Sequence, residues 1–252
     1  MYRSAQQGVA LLTILVMVAL ATILAATIAK RQAYTAENTG YLMRQNQSLL
    51  YAKSAEAFFM ELLQLDAENA GNVDHLQETW ALPMPAFPVE NGSISGVLQD
   101  ESGKFNLNNL VKADGTPNEA AKLWFERLLQ RVGLPTELSQ AVIDWQDVNQ
   151  EVAGAMGAES SYYQGLNPPY SAPNQIFHNI AELKQVRGFE GKKYDLIAPY
   201  ISALPEVSKL NINTAVPLVL ASLDQKLDIL EVDSALQQKK QNLEYFQQVA
   251  DV

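Results

Sequence analysis

From position 9 to position 29 the chain carries no charged side chain and is almost wholly apolar; Gln7-Gly8 precedes this run and Lys30-Arg31 follows it. A run of about 20 apolar residues is long enough to cross a bilayer as a helix. In lipid it must be helical, because nothing there pairs with free backbone N–H and C=O groups. Beyond Arg31 no proline occurs until Pro83. Leu42, Leu49, Phe59 and Leu62-Leu63 recur near helical spacing, with Glu37, Arg44, Lys53 and Glu61 between them. The pattern predicts one long helix over 9–65, apolar at its start and amphipathic later. Gly40 is the point at which two separate helices would part. The Ala70-Gly71-Asn72 run marks the exit.

Pro83, Pro85 and Pro88 then forbid a continuous helix. Residues 89–98 read as two short strands about an Asn91-Gly92 turn. Glu101-Ser102-Gly103 makes a second turn, and residues 104–107 a third strand. From Asn118 to about Pro205 the pattern is mostly helical. Residues 120–132 are amphipathic, with Leu123, Trp124, Leu128 and Val132 on one face; Gly133 stops that helix, and Pro135-Thr136 opens another that runs to about Trp145. A long polar loop reaches to about Asn174, and residues 180–186 and 194–197 form two more short helices. Leu210-Asn211-Ile212-Asn213 is strand-like, and Thr214 is placed to cap a helix with Pro217 in its first turns. The Gln-rich tail, 227–249, has helical spacing. The fold class is α+β.

Charge and composition narrow the chemistry. The 252 residues carry a net charge of −10, which argues against a nucleic-acid surface. With no cysteine, there can be no disulfide, thiolate metal site or cysteine nucleophile. His75 and His178 are the only histidines and stand in unlike contexts. No Ser-His-Asp grouping, phosphate-binding Gly-rich loop or His-Glu-x-x-His stretch is visible, so no enzyme is expected.

The apolar run also carries a processing signal. Lys30, Arg31 and Gln32 follow it, where a secretory signal peptide would place small residues at its cleavage site. The short polar leader ending in Gly8, followed by Val9-Ala10-Leu11-Leu12-Thr13, resembles a type IV pilin-like leader. The resemblance implies that a prepilin peptidase removes residues 1–8 and that the new N-terminus, Val9, is methylated. Without it, residues 9–29 would read as an ordinary anchor with a chance glycine. Arg3 before the run and Lys30-Arg31 after it oppose a periplasmic C-terminus by charge alone; the leader outweighs them. Pilins and most pseudopilins have Glu at the fifth residue after the cut, where this chain has Thr13. A carboxylate in lipid persists only when paired, and a subunit with no neighbour ahead of it has no amine to pair with. Thr13 therefore suits the tip of a filament.

Four further stretches sharpen the match: Gly103-Lys104-Phe105-Asn106-Leu107-Asn108-Asn109-Leu110, Ile143-Asp144-Trp145-Gln146-Asp147, Glu182-Leu183-Lys184-Gln185-Val186-Arg187-Gly188-Phe189, and Asn211-Ile212-Asn213-Thr214-Ala215. With the leader and Thr13, the chain resembles the K-type minor pseudopilins of type II secretion systems. That resemblance implies a pseudopilin fold: a long N-terminal helix, membrane-spanning at its start, packed on a small antiparallel sheet, with an inserted helical, SAM-like or helix-hairpin-helix-like domain. The implied divisions are a leader (1–8), the N-terminal helix (9–65, transmembrane over 9–29), a β region (66–112), the inserted helical domain (113–205) and a return segment (206–252) with a second helix-hairpin-helix-like element. Family members normally end in further closing strands, so a divergent or truncated C-terminus is expected. It also implies an inner-membrane, single-pass protein with its C-terminal domain in the periplasm. Expected partners are the I- and J-type minor pseudopilins, the major pseudopilin and the prepilin peptidase. The third and fourth stretches also resemble DNA-binding helix-hairpin-helix modules, with Arg187, Lys192 and Lys193 near the turn. A membrane-anchored DNA-uptake protein is therefore the rival reading, although the acidic chain speaks against a nucleic-acid partner.

Residues 144–174 hold the best candidates for a chemical site. Asp144, Asp147, Asn149, Glu151 and Glu159 are all oxygen donors, with Gly154 and Gly157 for tight bends. Calcium takes six to eight oxygens in flexible geometry, and long irregular loops gain from such a staple. The spacing is not that of an EF-hand. K-type members are associated with calcium in this loop, and commonly carry Asp where Asn149 stands and another beside Glu159, where this chain has Ser160. Those two losses imply fewer or weaker sites. The competing expectation is a solvated acidic loop.

Overall fold

A computed structural model describes residues 7–69, 73–90 and 92–247. The first helix, α1 (Gln7–Asn69), is 63 residues long and passes Gly40 without a break. One interior glycine costs about 1 kcal/mol, too little to split so long a helix. It ends past the expected Leu65, where the Asn69 side chain donates to the Leu65 carbonyl at 2.7 Å and satisfies one free acceptor of the last turn. The start is long and apolar enough to cross a membrane. Met1 to Gln6 of the expected leader, and the Ala70-Gly71-Asn72 exit, lie outside the described residues.

The packed face of α1 is the expected one only in part, at Phe59 and Leu62. Its half-buried positions are Gly40 and then Gln47, Tyr51, Ala55, Phe59, Leu62 and Asp66, the last six one stripe at three- and four-residue spacing. Leu42, Leu49 and Leu63 are exposed. Against the Tyr51–Phe59 part of this stripe lies the hairpin of β1 (Met84–Val89) and β2 (Gly92–Gly96), a two-stranded sheet: the Tyr51 hydroxyl donates to the Glu90 carbonyl at 3.4 Å, and Gly96 stands against the Phe59 ring. Strands joined by so short a connection must be antiparallel. The hairpin sits where the turn signal placed it, with Asn91 outside the described residues. β1 begins earlier than expected and contains Pro85 and Pro88. A two-stranded sheet leaves a free edge, and there a missing N–H costs nothing.

The chain divides into two compact units: α1 up to Leu63 with residues 85–96, and residues 64–84 with the chain from 97 onward. The expected β region, 66–112, is thus shared between them, and residues 97–112 and 206 onward belong with the helical block. The third strand, β3 (Phe105–Asn106), does not join the hairpin. It pairs in parallel with β4 (Ile201–Ser202), Phe105 opposite Ile201 and Asn106 opposite Ser202.

Three asparagines extend this pairing with side-chain amides. Asn106 accepts from Leu204 N–H at 3.1 Å and donates to Glu206 O at 2.9 Å. Asn108 accepts from Phe177 N–H at 2.8 Å and donates to Phe177 O and Leu204 O at 2.9 and 2.7 Å. Asn109 exchanges two bonds with the Ser208 backbone, at 2.8 and 3.0 Å. A side-chain amide offers the donor and acceptor of a peptide group, so residues 106–109 bind residues 204–208 much as a strand would.

Over this frame pack α2 (Glu119–Arg131) and α3 (Leu138–Gln146). Asn118 caps α2, and Gly133 leaves it at φ 79°. The buried face of α2 is Ala121, Phe125, Leu128 and Leu129; Leu123 is exposed, and Trp124 and Val132 are only half-buried. Helix α3 is buried along almost its whole length and carries Ala141, Val142, Ile143 and Trp145 into a core shared with Phe105, Phe125, Tyr163, Phe177 and Phe189. The long loop after it is interrupted by α4 (Ser160–Gln164). A 3-10 turn (Ile180–Gln185) and α5 (Lys192–Ile197) follow. Residues 210–213 are not a strand: the chain turns at 212–214. Thr214 caps no helix: its hydroxyl donates to Asp100 at 2.7 Å, and α6 (Pro217–Ala221) starts with Pro217 after Val216. Helix α7 (Ile229–Gln241) is capped by Asp228. Among the described residues no strand follows Ser202.

Candidate metal centre

Helix α3 ends by presenting two carboxylates. Asp144 lies in its last turn, and Asp147 is the first residue beyond it. Glu159, at the N-terminal boundary of α4, closes on them from the far end of the intervening loop. Each of the three offers an oxygen within 4.8 Å of the other two. All three are buried, at 0%, 2% and 1% exposure. The loop is therefore not a solvated acidic surface at these positions.

Asp144 is partly satisfied, because it accepts from the Ala153 N–H at 3.1 and 3.2 Å. Oδ1 of Asp147 and both oxygens of Glu159 have no hydrogen-bond partner. Buried charge without a partner is expensive, and unit charges at about 4 Å repel by about 4 kcal/mol at an effective dielectric near 20. Protonation responds to both costs. Burial first, and Asp144 second, push Asp147 up to about 6. Burial, then Asp144 and Asp147, push Glu159 up to about 7. Burial also raises Asp144.

Of the four expected carboxylates, the fold gathers Asp144, Asp147 and Glu159 and leaves Glu151 out. Asn149 and Glu151 are exposed. Asn149 organises the turn, accepting from the Glu151 N–H at 2.6 Å. Gly157 has a specific reason to be glycine, since a Cβ there would collide with Asp144 Oδ2 and stand 2.8 Å from Ala153 N. Nothing in the sequence marks a helical glutamine as a loop anchor, yet Gln140 Oε1 accepts from the Met156 N–H at 2.9 Å. Arg187, near the turn that resembles a phosphate-binding hairpin, is committed elsewhere: it donates to the Gly157 carbonyl at 2.8 Å.

The donor set fits a hard cation. It is all oxygen, negatively charged and short of hydrogen-bond donors, which suits calcium better than a soft metal. A second grouping, Asp66, Asp74 and Glu78, differs. Asp74 is exposed, and Glu78 accepts from the His75 N–H and from Trp80 Nε1 at 2.8 and 2.7 Å.

The first residues of α1 are also in place. Val9 is exposed at the start of the apolar run, and the Thr13 hydroxyl donates to the Ala10 carbonyl at 2.9 Å within the same helix.

Comparison with known proteins agrees with this architecture. A type II secretion system protein K from Pseudomonas aeruginosa is 36% identical over 231 residues, covering 88% of this chain and 69% of that protein. The protein K of Aeromonas hydrophila is 34% identical, covering 84% of this chain and 68% of its own length. The chain belongs to the type II secretion system protein K family. The family model for protein K matches residues 103–206, which take in β3, α2, α3 and the carboxylate triad. A crystal structure of the GspK-GspI-GspJ complex from the type 2 secretion system of enterotoxigenic Escherichia coli matches with a TM-score of 0.70 and 27% identity, covering 77% of this chain and 72% of that one. As a protein K, the chain is a minor pseudopilin with the α+β pseudopilin fold, and α1 supplies its candidate membrane span.

Proposed function

We propose that this protein K caps the periplasmic pseudopilus of a type II secretion system, held in the inner membrane by residues 9–29 until assembly. With the I- and J-type minor pseudopilins it forms a tip complex that starts assembly and supports export of folded periplasmic proteins across the outer membrane. The major pseudopilin then adds beneath it. Prepilin peptidase removes residues 1–8, and Val9 becomes the methylated N-terminus. The role is one of structure and interaction, with no reaction of its own.

Thr13 is the observation that carries the tip position. Its hydroxyl is satisfied inside α1 by Ala10, so it asks nothing of a neighbour, whereas a glutamate at this depth would need an amine. Support for partners of the I and J types comes from the likeness to the GspK-GspI-GspJ complex. Secretion in cells carrying only a Thr13→Glu variant tests the tip. A carboxylate without a partner costs about 2.5–3.5 kcal/mol at the centre of a membrane helix on insertion scales, so secretion should stay equal or fall. Enhanced secretion would overturn the tip position.

The carboxylate triad is proposed to hold calcium, on the strength of the unpartnered oxygens of Asp147 and Glu159. A bound divalent cation would remove the repulsion among Asp144, Asp147 and Glu159. Those residues would then tie the end of α3 to the start of α4.

A further inference from the structure

The three carboxylates reach their places by different means. Asp144 and Asp147 ride on α3, which is anchored by burial along almost its whole length. Glu159 has no such support. It stands at the edge of a five-residue helix after an irregular loop, and neither of its oxygens accepts a hydrogen bond. Its position is set by the backbone on either side.

One side chain grips both sides. Arg187 Nη1 donates to the Gly157 carbonyl at 2.8 Å, with a longer contact to the Ala155 carbonyl at 3.5 Å. Its guanidinium stands 4.8 Å over the Tyr162 ring. Ala155 and Gly157 precede Glu159, and Tyr162 follows it. Arg187 is itself tied down, because its N–H donates to the hydroxyl of the buried Tyr163 at 3.2 Å. Among the described residues its guanidinium makes no ion pair with a carboxylate. Its charge is spent on carbonyls and a ring, which leaves the triad's negative charge for a cation.

We propose that Arg187 is the positioning residue of the metal centre: it clamps residues 155–162 so that Glu159 completes the triad, without competing for the ligands. The proposal rests on the reading of the triad as a cation site. Its chemistry favours arginine. A planar guanidinium lays a flat face on the ring while its edge donates to carbonyls, whereas an ammonium is a compact point charge on a flexible stem and loses more order in doing both.

The test uses the full chain in detergent micelles: wild type, Arg187→Ala, Arg187→Lys and Tyr162→Ala. Calcium affinity is read by isothermal titration, and amide exchange over residues 153–162 is read in chelator, where no metal contributes. Arg187→Ala should weaken calcium about 10–100-fold, as loss of an outer-shell partner does, and should speed metal-free exchange in that segment. Arg187→Lys should fall between it and wild type. If Arg187→Ala does not fold, Tyr162→Ala, which removes the ring beneath the guanidinium and its edge contact with Tyr163, must move both readouts the same way. Wild-type binding with unchanged affinity in the folded variant overturns the clamp alone. A wild type that binds no calcium overturns the cation reading, and with it any service of Arg187 to that centre.

Discussion

Glu159 and Asp147 couple the protein's stability to pH in an unusual direction. Their folded values, about 7 and about 6, lie above the ordinary 4.5 and 3.8. Between those limits the folded state holds more protons than the unfolded chain, so their contribution to stability falls as pH rises. In chelator, the melting temperature of wild type should decline relative to Glu159→Gln between about pH 4.5 and pH 7. A constant difference across that window would contradict the burial of Glu159 as a titrating group. Calcium should reverse the deficit, because a metal that binds only the folded form stabilises it by mass action. At pH 7 the melting temperature should rise in a titration carried past the 0.1–1 mM range of extracellular-type sites, roughly. Asp147→Ala and Glu159→Ala should each abolish most of the rise, whereas Asn149→Ala and Glu151→Ala, at exposed positions, should keep it. Asp228→Ala should also keep it, from a baseline lowered by about 1 kcal/mol for a lost helix cap, since Asp228 accepts from Leu230 and Glu231 N–H. A flat response in wild type, with magnesium as well, would leave the triad without a cation. Five oxygen donors were legible in the sequence. Which of them face one another was not, because that depends on how Ala153, Gly157 and Gln140 fold the loop back onto α3.

Among the elements, those with local causes were the most legible. The apolar run, the Asn91-Gly92 turn, Gly133 and Pro217 each act within a few residues, and α1, the hairpin, α2 and α6 follow from them. The short strand at Phe105 is different. Its partner lies near Ile201, and no periodicity points so far along the chain. The asparagines beside it carry the join. Asn108→Leu keeps the volume but leaves the Phe177 N–H and C=O and the Leu204 C=O without this partner. Each buried polar group so orphaned costs about 1–3 kcal/mol, so the variant should lose roughly 3 kcal/mol or more, seen as a lower denaturant midpoint with an unchanged slope. A loss within about 0.5 kcal/mol, the range of ordinary surface substitutions, would mean that the amide bonds do not hold residues 204–208. The buried faces of α1 and α2 depart from their apolar spacing for one reason. Spacing shows that a helix has apolar positions, but when these lie around much of its circumference, the neighbour that arrives selects the face.

At the scale of the whole molecule, the N-terminal segment is the candidate membrane span. Mass spectrometry of the chain extracted from membranes should find a start at Val9, methylated. An intact Met1, or a cut beyond Ala29, would contradict processing as a pseudopilin. The membrane-length helix was determined by sequence alone, because lipid requires any crossing segment to satisfy its own backbone. The sequence also determined the chemistry available to the loop: no cysteine, few basic groups near it and an excess of carboxylates. Tertiary structure alone decided that Asp144, Asp147 and Glu159 converge while Glu151 does not, that β3 finds β4, and that Arg187 is turned onto the Gly157 carbonyl. Those outcomes depend on closing long loops around a shared core, and the contacts that close them join residues that no local pattern relates.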